Sequence, residues 1–379
     1  MKIKTNKAFT IVELLVAMAL VVILMGLSSL VFTTGVKAHR TADSTVEVVR
    51  RAESICQQLS NDLRGLQTDA PMAIWFEIVD TDGDGTADTR YDQMQFFANG
   101  DFQTIKQYDS NADGLADKTV SGLVARIQYG HAWQVNTATA PWTFGKSYGW
   151  VSSVNPGARL FSRRAHLLTS DLTLTYPGLI TPFPNPVQFT TGGFVPLGNT
   201  LVEYDQLSLT NWQALVQTQA NCNHFLQVCF NNNSADTATA GRPMIDMKNA
   251  ETLHLLLSGQ ISSFQVQWAY RSEDQIKNTT TGETFGVNER FDGVQWWPEY
   301  SRGDFYQAGF GAYFNMPGGV SGTMSSSWKT VGVGGHQSDV LDFSPTYYPR
   351  AMKFTFTVHD VKGLFPEGRT FTHIVYIEN

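Results

Sequence analysis

The longest apolar stretch of the chain lies near its N-terminus, at residues 9–32. Its side chains are apolar or small and polar almost throughout, and Glu13 is its single charge. A helix of this length crosses the roughly 30 Å hydrocarbon core of a bilayer. Residues 1–8 before it are basic, with Lys2, Lys4 and Lys7, so the positive-inside bias keeps them in the cytoplasm. The pattern predicts one membrane-spanning helix, with the remainder of the chain beyond the membrane.

A helical period continues over residues 33–66. Apolar residues recur there at steps of three and four, at Ala52, Ile55, Cys56, Leu59, Leu63 and Leu66. The charged and amide residues of this stretch, Asp62 among them, fall largely between these positions. Such an amphipathic pattern predicts a helix with one face to bury. That helix is either the lower half of a stalk packed on a globular head or a plain core helix.

Strand-like stretches alternate with turns and loops over residues 67–379. Apolar and polar residues alternate with a period of two at 264–270 and 352–358, which is typical of half-buried strands. Further strands are predicted at 72–79, 158–175, 257–270 and 371–377. The predicted fold class is α+β, with a long N-terminal helix packed on a large antiparallel β-rich head.

A charge inside an apolar span is costly and calls for a functional explanation. The run from Ala8 and Phe9 through Thr10 to Glu13 resembles the class III signal of type IV prepilins and type II secretion pseudopilins. The resemblance implies that a prepilin peptidase cuts between Ala8 and Phe9 and then N-methylates Phe9. Glu13 would be the fifth residue of the mature chain. The family usually has Gly where this chain has Ala8.

The same resemblance implies an assembly role for Glu13. Cleavage creates a positive amine on Phe9, and in a helical filament the amine of one subunit can neutralise Glu13 of its neighbour at low dielectric. Glu13 is therefore predicted to set the assembly register and not to catalyse. Two alternatives are a secretory signal peptide cut after Ala38 and a plain signal anchor. Neither of them explains the position of the glutamate.

Two Asp-rich loops in the head have the spacing of calcium loops. Oxygen-bearing side chains stand at alternate positions with a Gly at the sixth, a turn that wraps ligands around Ca²⁺. The predicted ligands are Asp80, Asp82, Asp84, Thr86 and Asp88 in the first loop and Asp109, Asn111, Asp113, Leu115 and Asp117 in the second. Both loops lack the EF-hand glutamate at position twelve and resemble the loops of dockerin and thrombospondin-type repeats. A structural Ca²⁺ would offset carboxylate repulsion; the alternative is a pair of hairpin turns.

The three cysteines suggest an extracytoplasmic head. Cys222 and Cys229 are close in sequence and are predicted to form a disulfide outside the cytoplasm. Metal binding together with His224 is the alternative, although further spaced ligands are missing. Cys56 falls on the apolar face of the amphipathic helix and is predicted to be buried and unreactive.

Charge and motifs argue against two other classes of function. A net charge of −7 without Lys/Arg runs makes the chain a poor nucleic-acid binder. Residues 145–149 match the nucleophile-elbow string, but strand-like residues flank them on both sides, whereas the motif requires a following helix. The histidines in strand-like stretches show no paired spacing. No enzyme is predicted.

The C-terminal residues 349–379, together with the strand predicted before them at 257–270, resemble the ending of J-type minor pseudopilins of type II secretion. The two resemblances imply a minor subunit, at or near the tip of a type II secretion pseudopilus or type IV pilus-like filament. Such a subunit is anchored in the inner membrane with its head in the periplasm. Its partners are other pilin or pseudopilin subunits, the prepilin peptidase and an inner-membrane assembly platform. The alternatives are a minor pilin for adhesion or DNA uptake and a membrane-tethered, calcium-dependent enzyme or lectin.

Overall fold

A computed structural model of the chain describes a long helix and a β-rich head. The described residues are 10–76, 78–79, 89–111, 113–135, 147–148, 160–171, 189–190, 193–194, 203–205, 207–215, 244–245, 253–269, 275–277, 284–286, 296–297, 310–314, 329–330 and 349–377. The two described helices are α1 (Ile11–Arg64) and α2 (Leu209–Leu215). The described strands are β1 (Met72–Phe76), β2 (Ile78–Val79), β3 (Thr89–Arg90), β4 (Gln93–Tyr108), β5 (Lys118–His131), β6 (Trp133–Val135), β7 (Ser147–Tyr148), β8 (Leu160–Leu168), β9 (Phe189–Thr190), β10 (Gly193–Phe194), β11 (Tyr204–Asp205), β12 (Met244–Ile245), β13 (Leu256–Gly259), β14 (Ile261–Ala269), β15 (Gln275–Lys277), β16 (Thr284–Gly286), β17 (Trp296–Trp297), β18 (Phe310–Phe314), β19 (Lys329–Thr330), β20 (Ala351–Val358) and β21 (Arg369–Tyr376).

Helix α1 is one continuous element of 54 residues, so the predicted span and the predicted amphipathic half form a single rod. At 1.5 Å per residue this rod is about 80 Å long. The helix ends where the N–H of Gly65 donates to the carbonyl of Asp62. A Cβ at Gly65 would lie 1.9 Å from the carbonyl oxygen of Asn99 in β4. The close passage of β4 therefore requires a glycine at this helix end.

The head is built on a large sheet of eight strands. Seven of them follow the order β11-β8-β5-β4-β1-β18-β19, and β13 pairs with β8 beside this path. The central pairs β1–β4, β4–β5 and β5–β8 are antiparallel. Successive side chains of a strand point to opposite faces, so Ala125, Ile127 and Tyr129 of β5 face α1, whereas Arg126 and Gln128 face away from it. The predicted antiparallel head is confirmed.

A second, antiparallel sheet of four strands has the order β17-β14-β20-β21. The alternation predicted for its strands is confirmed, since Phe264 and Val266 of β14 and Phe354 of β20 are fully buried. The sheets join at Asp92, which donates its N–H to the carbonyl of Phe264 at 2.8 Å. The Asp92 carboxylate in turn accepts the N–H of Val266 at 2.8 Å. One buried aspartate therefore links β14 to the start of β4.

The main core lies between α1 and the inner faces of both sheets. The helix contributes Val48, Ala52, Ile55, Leu59 and Leu63, all at most 2% exposed. The sheets contribute mostly aromatic and large apolar residues, including Phe96, Phe161, Phe264, Phe354 and Phe356. Full burial of one large apolar side chain stabilises a fold by about 1.5–3 kcal/mol. The stalk is thus held to the head chiefly by apolar packing.

Two sequence-based expectations were wrong in detail. The strand predicted at 257–270 is divided into β13 and β14 by Gln260, whose φ of 63° is a left-handed conformation uncommon for residues other than glycine. The strand predicted at 72–79 is found as β1 and β2, with residue 77 between them outside the described residues. Asp62, expected on the polar side of the helix, is only 5% exposed.

Candidate functional site

The first turn of α1 holds the single charge of the apolar span in a defined position. Thr10 is the N-cap residue, and its hydroxyl accepts the N–H of Glu13 at 3.3 Å. The Glu13 carboxylate accepts the N–H of Thr10 at 2.9 Å and the Thr10 hydroxyl at 3.1 Å. This reciprocal capping box satisfies backbone donors that the helix leaves unpaired. The predicted cleavage residues Ala8 and Phe9 lie outside the described residues.

The surface of the first half of α1 is apolar and uncovered. The helix is long and apolar enough to cross a membrane, and none of its most apolar window is buried. Its large side chains are exposed from Ile11 (80%) to Phe32 (72%). Soluble proteins rarely leave so large a contiguous apolar surface in water. Length and exposure together fit a single-pass membrane anchor.

The second half of α1 is seated on the head. Its buried face begins at Ser44 and ends at Leu63. The half-buried thiol of Cys56 packs at the margin of this face. Burial, with a smaller contribution from Glu53, raises the pKa of the Cys56 thiol. A raised pKa leaves less thiolate at neutral pH and lowers reactivity. The face predicted from the helical period is confirmed, except that Cys56, which was expected to be buried, is only half-buried.

A buried carboxylate fixes the last turn of α1 to the large sheet. Asp62 accepts hydrogen bonds from Nε of Arg163 at 2.6 Å and from Nη2 of the same residue at 2.8 Å. It also accepts the hydroxyl of Tyr129 and, at 3.1 Å, the amide of Gln58. Arg163 and Tyr129 stand directly opposite each other on β8 and β5. We call Asp62, Arg163 and Tyr129 the stalk clamp.

Sequence reasoning missed the stalk clamp. A carboxylate that interrupts a row of apolar helix positions, one residue before Leu63, was the signal available. Its partner Arg163 lies 101 residues away along the chain, so no local pattern could identify it. A bidentate pair between Arg and a carboxylate fixes orientation as well as distance. The clamp therefore sets how the stalk is rotated against the head.

Two further polar contacts tie the stalk to the small sheet. Arg51 donates to the side chain of Gln260, the residue between β13 and β14, and also to Glu47 at 2.6 Å. The Gln260 carbonyl accepts the N–H of His359 at 2.9 Å. Its left-handed backbone is thus held between the helix and the end of β20. Nearer the helix end, the hydroxyl of Ser60 lies 2.7 Å from Nε2 of His373 in β21.

The hairpin of β4 and β5 extends past the end of the stalk. Leu66 pairs with Ala98 of β4, and Asn99 donates to the carbonyl of Gly65, so the rest of β4 continues beyond α1. Residues 99–123, here called the distal hairpin, therefore lie at the end of the head opposite the apolar span. Three large apolar side chains are exposed on the distal hairpin: Ile105, Leu115 and Leu123.

The second Asp-rich loop forms the tip of the distal hairpin, and its side chains fold back on its own backbone. The buried Asp109 carboxylate accepts the N–H groups of Asn111 at 3.1 Å and Gly114 at 2.7 Å. Asp117 closes the loop by accepting from Ser110. Gly114 has φ +86°, and nothing lies within 4 Å of a Cβ built there, so its backbone conformation is what favours a glycine. The structure thus has a turn at this position, as both the calcium-loop prediction and the hairpin-turn alternative require.

The atoms of this loop predicted to bind the metal are all oxygens, which are the ligands that Ca²⁺ prefers. Within the described part of the chain, no three His, Cys, Asp or Glu side chains are grouped so that they could hold a metal ion. The Asn111 amide instead donates to the Asp113 carboxylate at 3.1 Å. An ion in the loop would replace this contact. The first predicted loop, at 80–88, lies outside the described residues.

A polar cluster is buried on the face of the large sheet away from α1. Arg126 donates to both oxygens of Asp205 at 2.5 and 2.9 Å, and His166 Nδ1 lies 2.9 Å from the same carboxylate. Burial lowers the pKa of the His166 imidazole to about 4, although Asp205 opposes this. The imidazole is therefore neutral at neutral pH, and the buried charge pair is Arg126 with Asp205. The indole of Trp212 in α2 lies 5.6 Å from the Arg126 guanidinium.

His166 is one of the histidines in strand-like stretches, and this cluster gives it a structural role. Arg126 and His166 are direct neighbours across β5 and β8, and each is at most 4% exposed. The carboxylate serves as acceptor for both, which is how buried charges are usually satisfied. The arrangement stabilises the head and offers no exposed nucleophile among its members. The predicted disulfide residues Cys222 and Cys229 lie outside the described residues.

Comparison with known proteins identifies the N-terminal segment. Residues 3–29 match the family model of the prokaryotic N-terminal methylation motif. Neither the curated proteins nor the solved structures contain a significant match to the chain. The matched segment includes Glu13 and ends within the apolar half of α1. The predicted class III signal is confirmed, while the J-type resemblance stays a prediction.

Proposed function

The chain carries the class III signal of type IV prepilins and pseudopilins on a membrane-length helix, and from that premise we propose that it is a minor subunit of a pseudopilus or type IV pilus-like filament. The observation that carries the proposal is the joint position of the motif and of Glu13 at the start of one continuous helix that ends inside the head. In a rod of this kind, the position of the membrane end of a subunit determines the position of its head. Protein secretion through a type II system is the process that this subunit would serve.

The size of the head supports a minor role near the filament tip. The head takes up most of the 379 residues, and its described residues form sheets of eight and four strands in addition to smaller sheets of two or three strands. In a helical filament every subunit repeats the same lattice spacing, so a bulky head at every position would crowd its neighbours. A subunit present in few copies, at the distal end, avoids that crowding.

Intact mass and N-terminal sequencing of the membrane-bound protein test the proposal. We expect a chain that begins at N-methylated Phe9 when the prepilin peptidase is present. Without the peptidase the same chain should begin at Met1, because removal of residues 1–8 and methylation both depend on that enzyme. A chain beginning at Met1 in both strains would identify a signal anchor, and one beginning at His39 would identify a secreted protein. Either result would overturn the filament proposal.

We also propose that the Asp-rich loop of the distal hairpin binds a structural Ca²⁺. The support is its alternating oxygen-bearing side chains, its left-handed Gly114 and its closed turn. Asp113 is exposed, so Asp113→Ala should remove one bound ion per chain without unfolding the head. It should also reduce the rise in melting temperature that Ca²⁺ produces, since a ligand bound at ten times its Kd stabilises by about 1.4 kcal/mol. Equilibrium dialysis and thermal unfolding, with and without a chelator, measure both effects.

Asp101→Ala is the matched control for the calcium experiment. Asp101 is an exposed aspartate of β4 in the same hairpin but outside the loop. It should bind as many ions as the unmodified chain. Equal ion counts for Asp113→Ala and the unmodified chain would show that the loop is only a hairpin turn.

A further inference from the structure

Strand β21 forms a long, regular edge of the small sheet. It pairs with β20 along all eight of its residues, from Arg369 to Tyr376, without a register shift. In the described part of the chain, no strand lies on its other side. The opposite edge of the same sheet is β17, and the large sheet ends in β11 and β19, each of two residues. The large sheet has a further edge in the four-residue strand β13, which pairs with β8. An eight-residue edge stands apart from these short ones.

The devices that usually prevent pairing at an edge are missing from β21. Natural edges are commonly protected by short strands, bulges, prolines or lysines. β21 has neither Pro nor Lys, its one Arg is Arg369 at its first position, and its pairing with β20 has no bulge. Its outward row, Thr370, Thr372, Ile374 and Tyr376, is exposed and uncharged. These are residue types that favour strand pairing.

The edge is rigidly held beside the stalk. The inward side chains Phe371 and Val375 pack in the main core, and His373 contacts Ser60 of α1 at 2.7 Å. In the proposed filament, subunits meet through their α1 helices. A neighbour that packs along the stalk therefore arrives next to the free side of β21. In that filament the edge would continue the surface through which subunits assemble.

We propose that β21 receives an exposed, extended segment of the adjacent filament subunit as an additional strand. A free edge presents N–H and C=O groups along the strand, and an extended chain is the ligand that satisfies this row. Because the outward row of β21 is uncharged, the incoming segment carries uncharged, β-favouring side chains at the matching positions. A second copy is not the occupant, since edge-to-edge pairing about a two-fold axis closes on two chains, whereas a filament repeats one head-to-tail step. This inference rests on the proposed function.

Thr372→Lys tests the inference with a matched control next to it. Thr372 and Thr355 are direct neighbours across β21 and β20 on the same face of the sheet, but only Thr372 lies on the edge. A lysine on an edge strand opposes pairing. We expect Thr372→Lys to lower incorporation into sheared, purified filaments roughly tenfold, which corresponds to about 1.4 kcal/mol. Thr355→Lys should incorporate as well as the unmodified chain, and both variants should reach the membrane equally.

Amide hydrogen exchange supplies a measurement that needs no variant. The full-length chain is compared in purified filaments and as a detergent-solubilised subunit. The peptide covering 369–377 should exchange more slowly in the filament, because the backbone N–H groups on the free edge of β21 become hydrogen-bonded there. Peptides from the central strand β20, whose N–H groups already have partners on both sides, should change little.

The outcomes separate the two proposals. Equal incorporation of Thr372→Lys, Thr355→Lys and the unmodified chain, with unchanged exchange at 369–377, would overturn strand addition and leave the filament role intact. Absence of the unmodified chain from filaments would overturn the proposed function itself. If the solubilised chain is a dimer and Thr372→Lys makes it monomeric, the segment that pairs with β21 belongs to a second copy of this chain and not to a different filament subunit.

Discussion

Glu13→Ala is expected to abolish incorporation of the chain into filaments while the head folds normally. Loss of the carboxylate would leave the Phe9 amine of the neighbouring subunit without a partner in the membrane. Breaking a buried ion pair by removing one partner costs about 3–5 kcal/mol, and each 1.4 kcal/mol is a factor of about ten. We therefore expect incorporation to fall by about a hundredfold or more. Immunoblots of sheared filaments and of membranes measure incorporation and insertion separately.

Two controls separate this effect from the helix cap. Glu13 also closes the capping box with Thr10, so its loss weakens the first turn of α1. Thr10→Ala removes the side-chain part of that box but keeps the carboxylate, and an N-cap is worth about 0.5–2 kcal/mol. Glu47→Ala removes a glutamate of the same helix that pairs with Arg51 outside the apolar span. We expect both controls to enter filaments at close to the unmodified level.

The result that would contradict the assembly role is equally specific. Unchanged incorporation of Glu13→Ala would show that the carboxylate is not needed for assembly. Unchanged biological activity without incorporation would favour a membrane-tethered enzyme or lectin, because such a protein needs only an anchor. A defect of the same size in Thr10→Ala would assign the effect to the helix cap. The head should show the same protease resistance in all variants, since Glu13 lies far from it along α1.

The parts of the fold that sequence predicted are those with strong local periods. Alternation in β14 and β20 placed Phe264 and Phe354 in the core, and the three- and four-residue steps of α1 placed Ile55 and Leu59 there. A period identifies an element and its buried face from neighbouring positions alone. The same holds for the N-terminal signal, which is a short, contiguous pattern. These features needed no information about distant partners.

The parts that sequence did not predict depend on partners far along the chain. Asp62 was expected on the polar side because its type is usually exposed, yet Arg163 makes its burial favourable. Arg126 alternates with apolar residues in β5, and this pattern by itself indicates a side chain that faces solvent. Asp205, 79 residues away, instead makes Arg126 part of a buried cluster. Gln260 divides a predicted strand because the helix and β20 hold its left-handed backbone, which no local preference indicates.

Asp62→Ala is expected to lower the free energy of unfolding of the head by about 3 kcal/mol, the lower end of the cost of breaking a buried ion pair, because Arg163, whose side chain is 22% exposed, would lose its counter-ion. Tyr129, whose hydroxyl donates to Asp62, would lose its acceptor at the same time. Denaturation of the detergent-solubilised full chain, followed by tryptophan fluorescence, gives the difference directly. The stalk clamp should then contribute more stability than any other single polar contact of α1.

Asp43→Ala is the matched control for the stalk clamp, because Asp43 lies on the same helix and pairs with His39 at 3.0 Å on the surface. Exposed pairs are worth about 0–1 kcal/mol, so this variant should unfold close to the unmodified chain. The double variant Asp62→Leu with Arg163→Met removes both charges and should recover much of the loss, since apolar residues often replace buried ion pairs without cost. A loss for Asp62→Ala no larger than that for Asp43→Ala would show that apolar packing alone fixes the stalk to the head.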